Sequence, residues 1–140
     1  LKYGAFGGSV TLASRVEAAT KRMGVPILIT GSTREKLDAG FATRRLCRVK
    51  GVGMDPPVHI HELSPSAVSA EWMADREAYE RALDLFERGK LSEACRALFL
   101  LTERQAWSPD GPSLRLAARA FEAMSKGSTD FDPVVDLDFN

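Results

Sequence analysis

Apolar residues in this chain recur at intervals of three and four over most of its length, and at intervals of two in two short stretches. From Val10 onward, Leu12, Ala13, Val16, Ala19 and Met23 fall on one helical face. Ser9 stands where an N-cap belongs, Gly24 where a helix ends, and Pro26 bars continuation. Ahead of this helix, residues 2–6 (KYGAF) read as a strand end running into a turn at Gly7-Gly8. Residues 25–30 (VPILIT) form a short β-branched apolar run, the pattern of a strand covered on both faces. Ser32 then caps a predicted second helix over residues 33–39, with Glu35 at the third position of a capping box and Gly40 as its stop. Residues 41–49 and 58–63 alternate apolar and polar around KGVGMDPP, which predicts an antiparallel hairpin.

Beyond a linker at residues 64–69, helical periodicity takes over. Residues 71–88 place Trp72, Tyr79, Leu83 and Phe86 on one side, and Gly89 breaks the helix. Residues 91–105 direct Ala94, Leu98 and Leu101 inward, and residues 112–124 carry Leu114, Ala117 and Phe121 as their stripe. The end, FDPVVDLDFN, reads as an extended tail packed on something. The predicted fold class is α+β: strand, helix, strand, helix and hairpin over residues 1–64, then a small α-helical module over residues 65–140. The helix pair around Gly89 loosely resembles one tetratricopeptide unit at Gly89, Ala94 and Pro109, although its second helix and loop run long. An ordinary helical hairpin fits as well, and a single repeat cannot bury its own faces.

Composition narrows the class. A chain of 140 residues with 44% apolar content is ordinary for one or two small soluble domains. No apolar run is long enough to span a membrane, and LKYGAFGGSV lacks the apolar core of a signal peptide. A cytoplasmic location is expected for this segment. An anchor ahead of Leu1 stays open, because a first residue other than Met fits a piece of a longer protein. Net charge is zero but unevenly spread: ten Lys/Arg against five Asp/Glu through Ser64, nine against fourteen after it. A basic first half suits an anionic ligand; nucleic acid is not an expected partner. Cys47 and Cys95 read as buried free thiols. His59 and His61 alternate along one strand and read as a solvated face rather than a metal pair.

The densest candidate chemistry lies in GAFGGSVTLASRVEAATKRMG, residues 4–24. Its glycines permit close backbone approach, and the free N–H groups of a helix start favour anions. Arg15 follows Thr11 by four, so both side chains leave one face. On spacing alone, a surface arginine behind a capped turn is the commoner outcome.

The wider string resembles the second half of a class III nucleotide cyclase domain, the adenylate/guanylate cyclase family. The matching positions are Gly7, Val10, Ala13, Arg15, the VPILIT run, Val49-Lys50-Gly51 and Glu62-Leu63. The resemblance covers residues 1–63 and implies part of a ferredoxin-like α/β sandwich. It also implies conversion of ATP or GTP to a 3′,5′-cyclic monophosphate: the ribose 3′-oxygen attacks the α-phosphate and pyrophosphate leaves. Arg15 takes the position that stabilises charge at the α-phosphate, Thr11 that of a ribose-orienting Asn, Lys50 that of a terminal-phosphate ligand, and Gly4 that of the purine selector. Two Mg²⁺ or Mn²⁺ ions are implied, but the aspartates that would hold them have no counterpart here; Asp38 and Asp55 lie in the wrong segments. Sites of this family form between two subunits, so a homo- or heterodimer partner is implied. Thr11, Gly4 and Gly8 depart from the family pattern and favour a degenerate regulatory domain as the alternative. A third reading makes the helical module a protein-interaction surface.

Overall fold

The computed structural model describes Thr20 and residues 23–64, 67–106, 108–127 and 130–138. The architecture is mixed α+β, a four-stranded sheet with four helices among the described residues. In chain order the elements are β1 (Leu28–Thr30), α1 (Gly31–Glu35), β2 (Thr43–Gly51), β3 (Met54–Leu63), α2 (Ala70–Glu87), α3 (Leu91–Arg104), α4 (Gly111–Lys126) and β4 (Val135–Asp136). The sheet order is β1-β3-β2-β4; β1 and β2 run antiparallel to β3, and β4 runs parallel to β2. The predicted strand at residues 2–6 and most of the first helix lie outside the described residues. Thr20 and Met23 are helical, and Gly24 closes their turn at φ +69°, its N–H donating to the Thr20 carbonyl at 3.1 Å. The glycine stop is thus where the sequence places it.

Several local expectations shift. The VPILIT strand shortens to Leu28–Thr30, and within those three residues only Leu28 is buried, because among the described residues β1 pairs on one edge alone; Val25, ahead of the strand, is buried too. The following helix starts earlier and is shorter than residues 33–39. Thr30, not Ser32, caps it by accepting from the Thr33 N–H at 3.3 Å. The hairpin forms, but most of KGVGMDPP joins its strands, leaving Val52-Gly53 as the turn. Pro56 and Pro57 fit because Asp55, Pro56 and Pro57 bulge opposite Lys50, and β1 reaches β3 only at Ile60, His61 and Glu62, so no ladder bond is needed at the prolines.

A second bulge organises the core. Arg45 opposes His61, and Cys47 already opposes Ile60, which leaves Leu46 extra. The alternation changes phase there, so Arg44, Leu46, Cys47 and Val49 are all buried. Backbone groups of β2 around the bulge find partners on α2. Arg76 donates to the Thr43 carbonyl at 3.2 Å, Tyr79 Oη to the Leu46 carbonyl at 2.8 Å, and Glu80 accepts from the Arg45 N–H at 2.9 Å. Three neighbours on one helical turn thereby cover an otherwise open sheet edge. β4 continues the cover, pairing at Val49 and Lys50, so the tail packs on the sheet.

Leu46, Val49 and Ile60 join Leu83, Phe86, Leu98 and Leu116 in one apolar core. Ala94, Leu98 and Leu101 face inward as the periodicity of α3 predicts. The stripe of α4 does not: Pro112, Leu116 and Ala120 are buried, whereas Leu114 and Phe121 are exposed. Both faces of α4 carry apolar residues, so periodicity alone selects either one. At the start of α4, a Cβ on Gly111 would stand 3.1 Å from the Met23 carbonyl, which is why the helix begins on glycine there.

Tyr79 sets a direct check. Its buried hydroxyl serves the Leu46 carbonyl alone. Tyr79→Phe leaves that carbonyl unpaired and is expected to lower unfolding free energy by about 1–3 kcal/mol. Urea denaturation with an unchanged m-value measures it; a loss near zero would mean water replaces the donor.

Candidate functional site

Gly4, Thr11 and Arg15 lie outside the described residues, so Lys50 is the sequence-selected site residue whose surroundings are on view. It sits near the end of β2, one residue before Gly51, beside an open cleft of about 430 Å³ at the hairpin tip. Its side chain is 40% exposed, and its ammonium donates to Asp132 of the tail. The hydrogen bond to Asp132, and then that carboxylate's charge, hold Lys50 above its ordinary range; the same bond holds Asp132 below the carboxylate range. The contact recurs along the chain. The Leu137 N–H donates to the Lys50 carbonyl at 2.9 Å, and the Val52 N–H to Asp138 at 2.9 Å. Asp132 and Asp136 also accept from the backbone N–H two residues on, which turns the tail against the hairpin.

The acidic tail residues are what sequence reading missed at this site. Their signal was present as the opposite charge of the two halves. Arg44 meets Asp110 at 3.2 Å, Arg45 meets Asp84 at 2.7 Å and Glu87 at 2.9 Å, and Arg48 meets Glu87 at 3.4 Å. The basic residues of β2 are therefore answered by the second half of the same chain. A basic first module does not by itself require an external anion.

A second polar cluster surrounds Arg44 at the foot of a cleft of about 480 Å³. The Arg44 guanidinium is 4% exposed, binds Glu62 through two nitrogens at 2.8 and 2.6 Å, and lies 4.9 Å from the Tyr79 ring centre. Gln105 bridges Asp110 at 2.8 Å and Asp75 at 3.1 Å. Arg104 comes within 3.0 Å of Asp75 Oδ1, close enough for charge pairing but outside hydrogen-bond alignment. Burial by itself would raise the Asp110 carboxyl; Arg44, the Ser113 N–H and Gln105 outweigh it and hold the carboxyl below its usual range. The cluster ties β2 and β3 to α2 and the start of α4, and its charges serve one another.

The remaining candidates resolve simply. His59 is exposed and His61 is half-buried, held neutral with its pKa lowered to about 4 by burial and then by the nearby Arg34. Cys47 is a buried thiol pushed up to about 11 by desolvation; Cys95 is half-buried rather than buried. Among the described residues no three His, Cys, Asp or Glu side chains stand together to hold a metal ion. Asp38 instead accepts from the Gly40 N–H at 3.0 Å, and Asp55 is exposed on the hairpin. The described carboxylates do not fit the two-metal site that the resemblance implies.

No family model, curated protein or solved structure matches this chain. Among the described residues no helix is long and apolar enough to cross a membrane.

Proposed function

We propose that this chain is the closing half of a class III nucleotide cyclase domain with a helical module docked on its sheet, working in the cytoplasm on ATP or GTP. The reading rests on the ordered sequence string, and one structural observation supports it: Lys50 sits at the solvent-reachable end of a hairpin whose other strand, β3, pairs with β1. A lysine there can meet terminal phosphates without burying its charge. Arg15 would then donate to the reacting α-phosphate and Thr11 to the ribose, while Gly4 leaves purine choice to other groups. The ferredoxin-like sandwich belongs to this proposal, as does a partner subunit supplying the carboxylates for Mg²⁺ or Mn²⁺. The chain by itself is expected to be inactive.

Arg15→Ala, in the assembled enzyme, is expected to lower turnover by about a hundredfold or more with nucleotide affinity nearly unchanged, as for a donor that acts in the transition state. Cyclic-nucleotide production and equilibrium nucleotide binding, measured side by side, check it. A fall in affinity with turnover intact would overturn the assignment.

A degenerate regulatory domain is the second reading. The observation favouring it is that Asp132 already occupies the Lys50 ammonium. If the altered sites alone silence the domain, Thr11→Asn with Gly4→Asp is expected to raise cyclic-nucleotide production in the assembled protein; a flat response would point to missing metal ligands instead.

A further inference from the structure

The surface of α3 and α4 that faces away from the core is apolar at its centre. Phe99 is 65% exposed, Phe121 64%, Leu114 49% and Met124 45%. On α4 the exposed row Leu114, Ala118, Phe121 lies opposite the buried row Pro112, Leu116, Ala120, and the row itself carries no charge. Cys95, early in α3, places its Sγ 3.5 Å from Met124 Sδ, late in α4, so the two helices run antiparallel and their apolar residues share one groove. Exposed aromatics grouped in this way mark a docking surface.

We propose that this face is a twofold interface between two copies of the chain. The charges beside the patch argue for that occupant. In an antiparallel helix pair about a twofold axis, a residue before the axis meets the one equally far beyond it in the second copy. On α3, an axis between Phe99 and Leu100 brings Arg96 against Glu103 of the second copy. On α4, an axis at Ala118 sets Leu114 level with Glu122 of the second copy, one residue from its Phe121, and Arg115 level with that Phe121, one residue from Glu122, with the small alanine at the crossing. The contact between Cys95 and Met124 sets the relative heights: the α3 midpoint lies level with a point roughly 2 Å from Ala118, at ~1.5 Å per residue. One axis therefore serves both helices. Arg96, Glu103 and Arg115 have no ion-pair partner among the described residues, and the ion pair of Glu122 is with the exposed Lys126. Parallel stacking of a foreign helix would not use this mirrored charge order.

Helices of 14 and 16 residues present a face of roughly 20 Å by 20 Å, at ~1.5 Å per residue and ~10 Å per helix. That is on the order of 400–600 Å² per copy, the lower end for specific association, so the dimer is weak, with Kd in the range of about 10–100 μM. The proposal stands independently of the cyclase reading.

Sedimentation equilibrium of the full chain, from about 1 to 500 μM, tests it. The chain is expected to pass from monomer to dimer across that range, and Phe121→Glu to remain monomeric with an unchanged far-ultraviolet spectrum. Arg96→Glu and Glu103→Arg are each expected to weaken association about tenfold, and the double reversal to recover most of it. Should Phe121→Glu unfold the chain, the charge reversals, both on the surface, decide. A wild-type chain monomeric throughout, or an association that ignores both Phe121→Glu and the charge reversals, overturns the proposal. The latter result would place self-association on the sheet half instead.

Discussion

Arg44→Ala is expected to destabilise the fold by about 3–5 kcal/mol, because it leaves Glu62 and Asp110 partly buried without their shared cation. The loss should appear as a lower urea midpoint. Arg44→Met combined with Glu62→Leu should recover most of it, since apolar replacement of both partners removes the uncompensated charge. The pH dependence adds a sharper signature. In the native chain Asp110 titrates below its ordinary 3.8. The stability it contributes is fully present above that value and is lost as pH falls through the lower, folded value. In Arg44→Ala burial still raises the carboxyl while only the Ser113 N–H and Gln105 remain to lower it, so Asp110 titrates higher than in the native chain. The difference in stability between the two proteins should therefore shrink as pH falls from 7 to 3. A difference that stays constant with pH would show that Arg44 acts through packing on Tyr79 and not through charge.

Phe86→Ala is expected to cost about 3–5 kcal/mol, the range for emptying a buried aromatic site. Phe86 is 1% exposed and meets the Phe131 ring edge-on, with centroids 5.1 Å apart. The Arg119 guanidinium lies 4.9 Å from the Phe86 ring centre and donates to the Pro133 carbonyl at 2.7 Å. One ring thus joins α2, α4 and the tail. Its loss should reach Lys50, because the same tail carries Asp132 and Leu137. Amide exchange at Leu137, whose N–H is held by the Lys50 carbonyl, should quicken more in Phe86→Ala than the global loss predicts. Phe131→Ala, at a half-buried ring, should cost less, about 1–2 kcal/mol, with the same local effect on Leu137. Unchanged local exchange at Leu137 in both variants would mean that the tail is held by its strand pairing alone.

Most of the elements were legible because their signals are local. Gly24 marks a helix end by backbone freedom, and residues 91–105 show one apolar face with the period of a helix. The hairpin was legible from alternation, but its turn was not. Glycine and proline mark a turn in general, while the bulge that admits Pro56 and Pro57 depends on how far β1 extends beside β3. Arg44 alternates with apolar residues like an outward-facing cation, yet the acids that let it enter the core are 18 and 66 residues away. Of the site residues, only Lys50 has a described setting, and its partner, Asp132, lies 82 residues further along the chain.

By itself, the sequence determined the α+β class, the helical character of the second half and the opposed charge of the two halves. Those properties depend on composition and on periods of two and 3.6 within short windows. Tertiary structure alone decided where the opposed charges meet, which face of α4 is buried and which strand the tail joins. Each of those outcomes compares contacts between distant segments, and α4, apolar on both sides, holds no local term that could choose between them.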